Sequence, residues 1–591
     1  MKNNVINFLK KIYKDCLAVL IMWLVITAFL IHYYDLQNLD FSVPFRYIGT
    51  DEMSILVEAK MVKETGWNIY TDRLAAPYGF DNANNIITGL HNADTVTTKI
   101  FTVITGSYVA GVNLTFITAF YLIALISYIV IRRFNIRRWI SVCGAADYAM
   151  LPFIFFRNEE HLVLSCYYFV PLLILMCMWI YEDERFLALN KDFFKYKRNI
   201  AAIIMMFLIA NSGIVYWQFF GCFFLCVTGF ANFVRTKKAA YIGKAFVGVA
   251  GIVIFIMIGC IPEIIDILGG ASGTAGRLRS MPDAEFYGMK IIQLIMPVRG
   301  HGISYLESRI QDYNENAPLV TENNTAYIGI IGVIGLVILI SVLFKYKKED
   351  DNINYRRICA LSELNIAAIL MGTIGGIGTC FFVFISQTLR GFNRISIYIA
   401  FFCILTVCIM ADIIFDKVAK KSEIFKYIYI IAVSIIFIMC IREQNPDIGL
   451  PIEESTAEWN NDSQFISQIE DNMNEGDMIY QLPYHIYPEG GTQNGMYDFE
   501  LFKGYLHSDT LKWSYGMSYE TEEDKWNYET SELEPAKMVE ELKNKGFSGI
   551  YINRKGYETE EQWKNLETEL EMIVGKEPMV SNNGTLSFFK F

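Results

Sequence analysis

Apolar segments about as long as a membrane-crossing helix recur through most of the first 441 residues, and this recurrence limits what the chain can fold into. A helix of roughly 17 to 25 apolar residues crosses a bilayer and satisfies its own backbone polar groups. The whole 591-residue chain is 53% hydrophobic, with a mean hydropathy of +0.29. We therefore predict an α-helical polytopic membrane bundle. Its eleven spans are expected near residues 15–34, 112–131, 139–156, 162–181, 199–213, 215–233, 243–262, 326–344, 361–386, 395–415 and 425–441.

Basic residues cluster on alternate sides of these spans. They precede span one and follow spans two, four, six, eight and ten. The positive-inside rule then predicts a cytoplasmic N-terminus, and an odd number of spans places the C-terminal part outside. No small-residue cleavage site follows span one, so we interpret it as an uncleaved signal anchor. Two outside loops are long, 35–111 and 263–325. The first holds two amphipathic stretches, Met53–Val62 and Thr95–Val109, which we expect to lie in the membrane interface.

The net charge of −11 is divided unevenly along the chain. From Arg442 onward there are 30 acidic and 12 basic residues, a net −18, whereas the preceding part carries +7. This split predicts a membrane domain at 1–441 and an acidic extracytoplasmic domain at 442–591. It also argues against nucleic acid as a partner, which would need a basic face.

The C-terminal part alternates strand and helix patterns, which predicts a compact βαβ-type α/β domain. The expected elements are a strand at Met478–Leu482, a helix at Glu534–Lys545, a strand at Ser548–Asn553, a helix at Glu558–Val574 and a strand at Leu586–Phe591.

All 12 cysteines lie between Cys16 and Cys440, almost all in or beside the spans. The acidic domain therefore has no disulfide framework. There is no CxxC pair and no His/Cys cluster with zinc-ligand spacing, so we predict no structural metal site. No cofactor is predicted with certainty, and a divalent metal ion is left open.

Asp51 and Glu52 are adjacent carboxylates at the start of the first outside loop, close to the lipid surface. A paired acid there suits a general base acting on a membrane-carried substrate. Asp51 also fits the simple beginning of a surface helix, because acids favour helix N-termini. Taken alone, the pair favours this simpler interpretation.

A second charged cluster, Arg157-Asn158-Glu159-Glu160-His161, falls in the tight outside hairpin between spans three and four. Charges between two spans are costly unless they serve a site or pair with each other. The alternative is that Arg157 and His161 only neutralise Glu159 and Glu160. The cluster is expected on the same side of the membrane as Asp51.

These features together resemble the GT-C glycosyltransferases, polytopic enzymes that use sugars carried on polyprenyl phosphate or pyrophosphate. The resemblance rests on the acid after the first span, the long first outside loop and the acids of the second outside hairpin. It implies a GT-C-like fold in which Asp51 is the general base with Glu52 beside it, and in which Glu159 and Glu160 belong to the catalytic group. The tail segments Gln481–Tyr484 and Tyr505–Ser508 resemble tails of bacterial surface-polysaccharide membrane proteins.

The leaving lipid phosphate needs cations or a metal, and arginine offers a planar fork of donors. Arg390 and Arg394 lie in the short outside link before span ten, although snorkelling to headgroups explains them equally well. Candidate substrate-binding residues are Arg157, His161, Arg390 and Arg394, with Arg277, Arg279, Arg299 and His301 of the second long loop as further candidates.

The predicted function is sugar transfer from a polyprenyl-(pyro)phosphate donor to a cell-surface glycan, lipid or protein, at the outer face of the cytoplasmic membrane. A transporter or flippase for lipid-linked saccharides remains an alternative, as does a non-catalytic assembly protein. A transporter would place charges in the middle of its spans and often shows repeated halves. Here the charges gather at the outer ends of spans and no repeat is visible.

Overall fold

The computed structural model describes residues 2–82, 88–268, 279–300, 303–321, 325–344, 352–444, 449–488 and 490–591. Within the described part of residues 2–444, helices are joined by loops and by one short hairpin, β1 (Tyr70–Thr71) and β2 (Phe80–Asp81). The helices are α1 (Lys2–Tyr34), α2 (Asp51–Thr65), α3 (Asn92–Thr105), α4 (Tyr108–Arg133), α5 (Arg138–Ala149), α6 (Pro152–Arg157), α7 (Leu162–Ser165), α8 (Val170–Glu182), α9 (Lys197–Ala210), α10 (Val215–Thr236), α11 (Ala240–Gly259), α12 (Ile261–Leu268), α13 (Asp283–Phe286), α14 (Ser304–Asn316), α15 (Gly329–Phe344), α16 (Ile353–Gly372), α17 (Ile377–Phe384), α18 (Ser396–Ala419) and α19 (Glu423–Gln444).

Among the described residues, seven helical segments are long and apolar enough to cross a membrane, so the chain is a multi-pass membrane protein. They are Ile12–Tyr34, Tyr108–Arg133, Arg138–Arg157, Val215–Thr236, Ala240–Gly259, Phe392–Ala419 and Glu423–Gln444. The helices α8 and α15 are apolar but shorter. Helix occurs at each of the eleven predicted positions.

The prediction of one continuous span at 361–386 is wrong. Helix α16 ends at Gly372 and α17 begins at Ile377, with an irregular link between them. Gly375 in this link has φ +68°, a conformation that favours glycine. The apolar pattern runs through the break, which is why the sequence predicted a single helix.

The C-terminal part is α/β, as predicted. Its helices are α20 (Ile452–Asp471), α21 (Lys503–His507), α22 (Glu522–Ser531), α23 (Pro535–Lys545) and α24 (Glu560–Val574). Its strands are β3 (Met478–Leu482), β4 (Lys512–Trp513), β5 (Phe547–Asn553), β6 (Met579–Val580) and β7 (Leu586–Lys590). The five strands form one sheet in the order β4-β3-β5-β7-β6. Strands β4, β3 and β5 run parallel, whereas β7 is antiparallel to β5 and β6.

The first long loop packs against this C-terminal part. The backbone of Arg73–Ala76 exchanges hydrogen bonds with Trp513 and Tyr515, beside the edge strand β4. The buried Lys60 of α2 donates to the carbonyl of Ser508 at 2.9 Å. Loop and tail therefore form one packed unit above the helical bundle.

The two amphipathic stretches of this loop have different surroundings. Helix α2 is buried over most of its surface, between α4 and the tail, so the prediction that it lies in the membrane interface is wrong. Helix α3 instead exposes an apolar face made by Val96, Ile100, Val103 and Ile104. That face fits an interfacial position.

Candidate functional site

The Asp51 carboxylate lies at the first turn of α2, at the same end of the bundle as the 158–161 hairpin. Its Oδ2 is 3.4 Å from Nε2 of His161. The side chain is 58% exposed, but the carboxylate lies among protein groups that displace part of its water. This partial desolvation raises the pKa of Asp51 to about 7, and the carboxylates of Glu160 and Glu52 add to the rise. Asp51 is thus half-ionised near neutral pH.

Glu52 has a structural role next to this carboxylate. It is 2% exposed, and its Oε1 accepts backbone N–H groups from Ile48 at 2.7 Å, Gly49 at 2.7 Å and Thr50 at 3.1 Å. Its Oε2 accepts from the Thr50 hydroxyl. Because both oxygens are occupied, Glu52 holds the turn that presents Asp51 and is not placed to take a substrate proton.

The predicted hairpin is a tight turn between α6 and α7. Asn158 adopts φ +36°, and its Oδ1 accepts the Glu160 backbone N–H at 2.8 Å. This turn brings Glu160 within 3.2 Å of the Thr50 hydroxyl and His161 close to Asp51. Arg157, which is 3% exposed, packs over the Phe153 ring at 5.4 Å.

Glu159 and Glu160 have different environments although they are adjacent. Burial raises the pKa of Glu159 to about 8, so this carboxyl is neutral at pH 7. Burial also raises the pKa of Glu160, but the guanidinium of Arg46 opposes that rise, with Nη2 lying 3.0 Å from Oε2 of Glu160. Glu159 is therefore a neutral acid, whereas Glu160 is an ion-paired carboxylate that borders the Asp51 site.

Of the two arginines in the link before α18, Arg394 is the one near Asp51. Its guanidinium stacks 4.4 Å from the Tyr216 ring, and its charge lowers the pKa of Asp51 against the neighbouring acids. Arg390 instead pairs with Asp283 at 3.8 Å and stacks 4.4 Å from the Tyr287 ring. Snorkelling to headgroups therefore does not describe Arg394, whose side chain is half-buried in protein.

Tyr216 holds the backbone of the link that precedes α18. Its hydroxyl accepts backbone N–H groups from Arg390 at 3.2 Å and Gly391 at 2.9 Å. The side chain is 5% exposed, so protein surrounds it. Tyr216 is a positioning residue for Arg394.

The tail closes one side of the site. The Phe499 N–H donates to the Gly49 carbonyl at 2.9 Å, and the Asp498 carboxylate is close enough to raise the pKa of Asp51. Gly49 has φ +115°, and a Cβ there would meet Glu500 Cγ at 2.4 Å. Glycine at this position lets the tail approach the loop that carries Asp51.

The structure describes only two of the candidate residues from the second long loop. Arg279 is half-buried beyond α12, and Arg299 is exposed in a turn. Arg277 and His301 lie outside the described residues. A substrate-binding role remains a sequence-based prediction for all four candidates of this loop, Arg277, Arg279, Arg299 and His301.

A metal ion does not fit the described residues as they stand. No three His, Cys, Asp or Glu side chains within the described ranges are arranged to hold one.

Three residues of the site were missed from the sequence: Arg46, Tyr216 and Asp498. Arg46 follows the buried anchor Phe45 and precedes Tyr47, which is also buried. Such an aromatic-basic-aromatic segment, a few residues before a paired acid, is the signal from which Arg46 could have been found. Asp498 is 447 residues away in sequence from Asp51, and no local pattern pairs them.

The fold and the site define a multi-pass membrane protein with a cluster of acids and arginines where its bundle meets a packed α/β unit. A family model described as a domain of unknown function, DUF6311, matches residues 95–376. No curated protein sequence matches the chain.

Solved structures similar to this chain include the oligosaccharyltransferase AglB from Archaeoglobus fulgidus, in complex with an inhibitory peptide and a dolichol-phosphate. That match has 11% identity and a TM-score of 0.44, and covers 98% of this chain and 74% of AglB. Another is ArnT from Cupriavidus metallidurans bound to undecaprenyl phosphate, with 10% identity, a TM-score of 0.47 and 97% of both chains covered. With identities of 10–11% and TM-scores below 0.5, these likenesses assign no function to this chain.

The adjacent acids of the hairpin provide a matched pair for mutation. Glu159→Gln replaces a neutral carboxyl with a neutral amide of similar size, so we expect activity within about threefold of the unsubstituted protein at pH 7. Glu160→Gln removes the charge that pairs with Arg46 and that raises the pKa of Asp51, so we expect transfer to slow more than in the Glu159 variant. Initial rates at pH 7 measure both. Equal effects would show that the two environments do not differ as described.

Proposed function

We propose that this protein is a membrane glycosyltransferase, which moves a sugar from a polyprenyl-(pyro)phosphate donor to a hydroxyl acceptor at the outer face of a cytoplasmic membrane. The observation that carries the proposal is the Asp51 carboxylate, with its pKa raised to about 7, between His161, Glu160 and Arg394. A base with a pKa near the working pH is the most effective one for accepting a hydroxyl proton.

In the proposed reaction the acceptor oxygen attacks the anomeric carbon of the donor sugar. A new bond joins that oxygen to C1, and the bond between C1 and the phosphate oxygen breaks. The acceptor proton passes to Asp51, and the bonding pair leaves with the lipid phosphate. Arg394 offers its donors to the developing phosphate charge, and its stacking on Tyr216 keeps it oriented.

The environment of Asp51 supports this division of roles. His161 lies against the carboxylate and orients it, whereas Glu160 is held by Arg46 and keeps a negative charge nearby. That charge raises the pKa of Asp51 and so increases its strength as a base. Asp498 of the tail contributes in the same direction.

A transfer assay tests the proposal. The purified protein in nanodiscs is incubated with a panel of synthetic polyprenyl-phosphate sugars and envelope-derived acceptors, and release of polyprenyl phosphate is measured together with glycosylated product. We expect release and product in equal amounts with at least one donor. Movement of an intact lipid-linked saccharide across the bilayer, without release of polyprenyl phosphate, would support the transporter alternative.

The proposed orientation has a separate test. In a background lacking the exposed Cys16, Cys226 and Cys380, we introduce Lys576→Cys in the exposed tail and Lys191→Cys in a basic loop expected inside. The Lys576→Cys thiol should react with an impermeant maleimide in intact spheroplasts, and the Lys191→Cys thiol only after permeabilisation. The reverse pattern would place Asp51 on the cytoplasmic side and contradict an outer-face reaction.

A further inference from the structure

A cavity of about 620 Å³ lies beside the candidate site, between the end of α1 and the start of α20. Cavities of roughly 300 to 1,000 Å³ are the size that binds small organic ligands. None of the reaction steps above uses this cavity. Its chemistry is set by three aromatic rings and three carboxylates, His32, Tyr33, Tyr34, Asp35, Glu453 and Glu454.

The charge of the cavity disfavours a phosphate group. No lysine or arginine is among its described lining residues, whereas Glu453 and Glu454 are exposed and form no ion pair with a described residue. Carboxylates accept hydrogen bonds from hydroxyl and amine groups, and aromatic rings offer flat apolar faces. A sugar ring complements both kinds of group, because its hydroxyl edges donate hydrogen bonds and its C–H face is apolar.

Tyr34 joins the cavity to the acidic site. It lines the cavity, is 5% exposed, and its hydroxyl has no hydrogen-bond partner among the described atoms. Its ring packs 5.5 Å from that of Phe155, two residues before Arg157, and the Glu159 carboxyl lies within electrostatic range. The Tyr34 side chain therefore borders both the cavity and the segment that leads into the 158–161 hairpin.

We propose that this cavity binds the acceptor of the reaction, a saccharide that is neutral or carries an amine. This proposal rests on the proposed function, because an acceptor implies transfer. The donor, with its phosphate, belongs on the Arg394 side, and the acceptor approaches Asp51 from the side of Tyr34. The separation of an acidic acceptor cavity from a basic donor region would let the enzyme discriminate its two substrates by charge.

The binding test uses Asp51→Asn protein, so that turnover does not consume the probe. Diazirine-bearing methyl glycosides of a neutral hexose and of a hexosamine serve as photoreactive probes, and labelled peptides are identified by mass spectrometry. We expect labelling of the peptides that contain 32–39 and 449–454. Unlabelled glycoside should compete, and inorganic phosphate should not.

Glu453→Gln combined with Glu454→Gln should lower this labelling about tenfold or more, because two charged acceptors are lost. The matched control is Glu522→Gln with Glu523→Gln, another pair of acids in the first turn of a tail helix, which does not line the cavity. The control should label normally. Labelling elsewhere, competition by phosphate, or unchanged labelling of the Glu453/Glu454 variant would overturn the proposal.

Kinetic measurements on proteins that keep Asp51 distinguish this proposal from the proposed function. The Glu453/Glu454 variant should raise the acceptor KM about tenfold and leave the donor KM unchanged. Normal KM values with intact transfer would remove the acceptor role of the cavity and leave the glycosyltransferase proposal standing. No transfer by unsubstituted protein with any donor would overturn the proposed function, and the acceptor role with it.

Discussion

Replacing Asp51 with asparagine is expected to lower the rate of sugar transfer by a factor on the order of 10² to 10⁴, the usual loss when a positioned general base is removed. Asparagine keeps the size of the side chain but cannot take the acceptor proton. Binding of donor and acceptor should change little. Single-turnover rates with saturating donor measure the loss. A variant with full activity would remove Asp51 from the catalytic role.

The same carboxylate sets the expected pH dependence. Since a general base works only when ionised, and the pKa of Asp51 is raised to about 7, kcat/KM should rise tenfold per pH unit below pH 7 and level off above it. The Asp51→Asn variant should lose this step. A profile that is flat from pH 5 to 8 would contradict a base with this pKa.

Stability provides a control for the Asp51 variant. Burial and the neighbouring acids disfavour the charged form of Asp51, so the folded protein is less stable once pH passes the ordinary carboxyl value. A neutral asparagine avoids that penalty, and the variant should unfold at the same temperature as the unsubstituted protein or a higher one. An activity loss with a large drop in unfolding temperature would instead indicate damage to the fold.

The sequence predicted those parts of the fold whose signal is local. Strand β3 was predicted at its observed residues, and α23 and β5 to within one residue, because proline and glycine punctuate them. The position of helix α2 was predicted wrongly, because apolar spacing indicates that one face is covered but does not indicate by what. Here the tail covers it, through contacts such as that of Lys60 with Ser508.

The candidate site was predictable only in part for the same reason. Asp51 was singled out as part of a carboxylate pair close to the lipid surface, and His161 because charges between two spans are costly. The structure brings these two residues together. The roles of Glu52 and Glu159 depend on partners that a sequence does not display. In the sequence, Glu52 resembles a second base. In the structure, its Oε1 accepts three backbone N–H groups, so its role is structural.

The second large effect is expected at Arg394, the candidate for the donor phosphate. Arg394→Lys keeps the charge but loses the planar fork of donors, and Arg394→Ala loses both. If the fork holds the leaving phosphate, apparent donor affinity should fall in the order arginine, lysine, alanine. For alanine the loss should be about 10- to 150-fold, the equivalent of a charge-assisted hydrogen bond of roughly 1.5 to 3 kcal/mol.

Arg390 provides the matched control, because it lies in the same link but pairs with Asp283 and stacks on Tyr287. Arg390→Lys should leave donor affinity within about threefold of normal. For Arg394 the acceptor KM should move much less than the donor KM, since the phosphate leaves with the lipid. Equal effects on donor and acceptor would mean that Arg394 only anchors the start of α18. The cationic role would then pass to the second long loop, where Arg277, Arg279 and Arg299 are the remaining candidates.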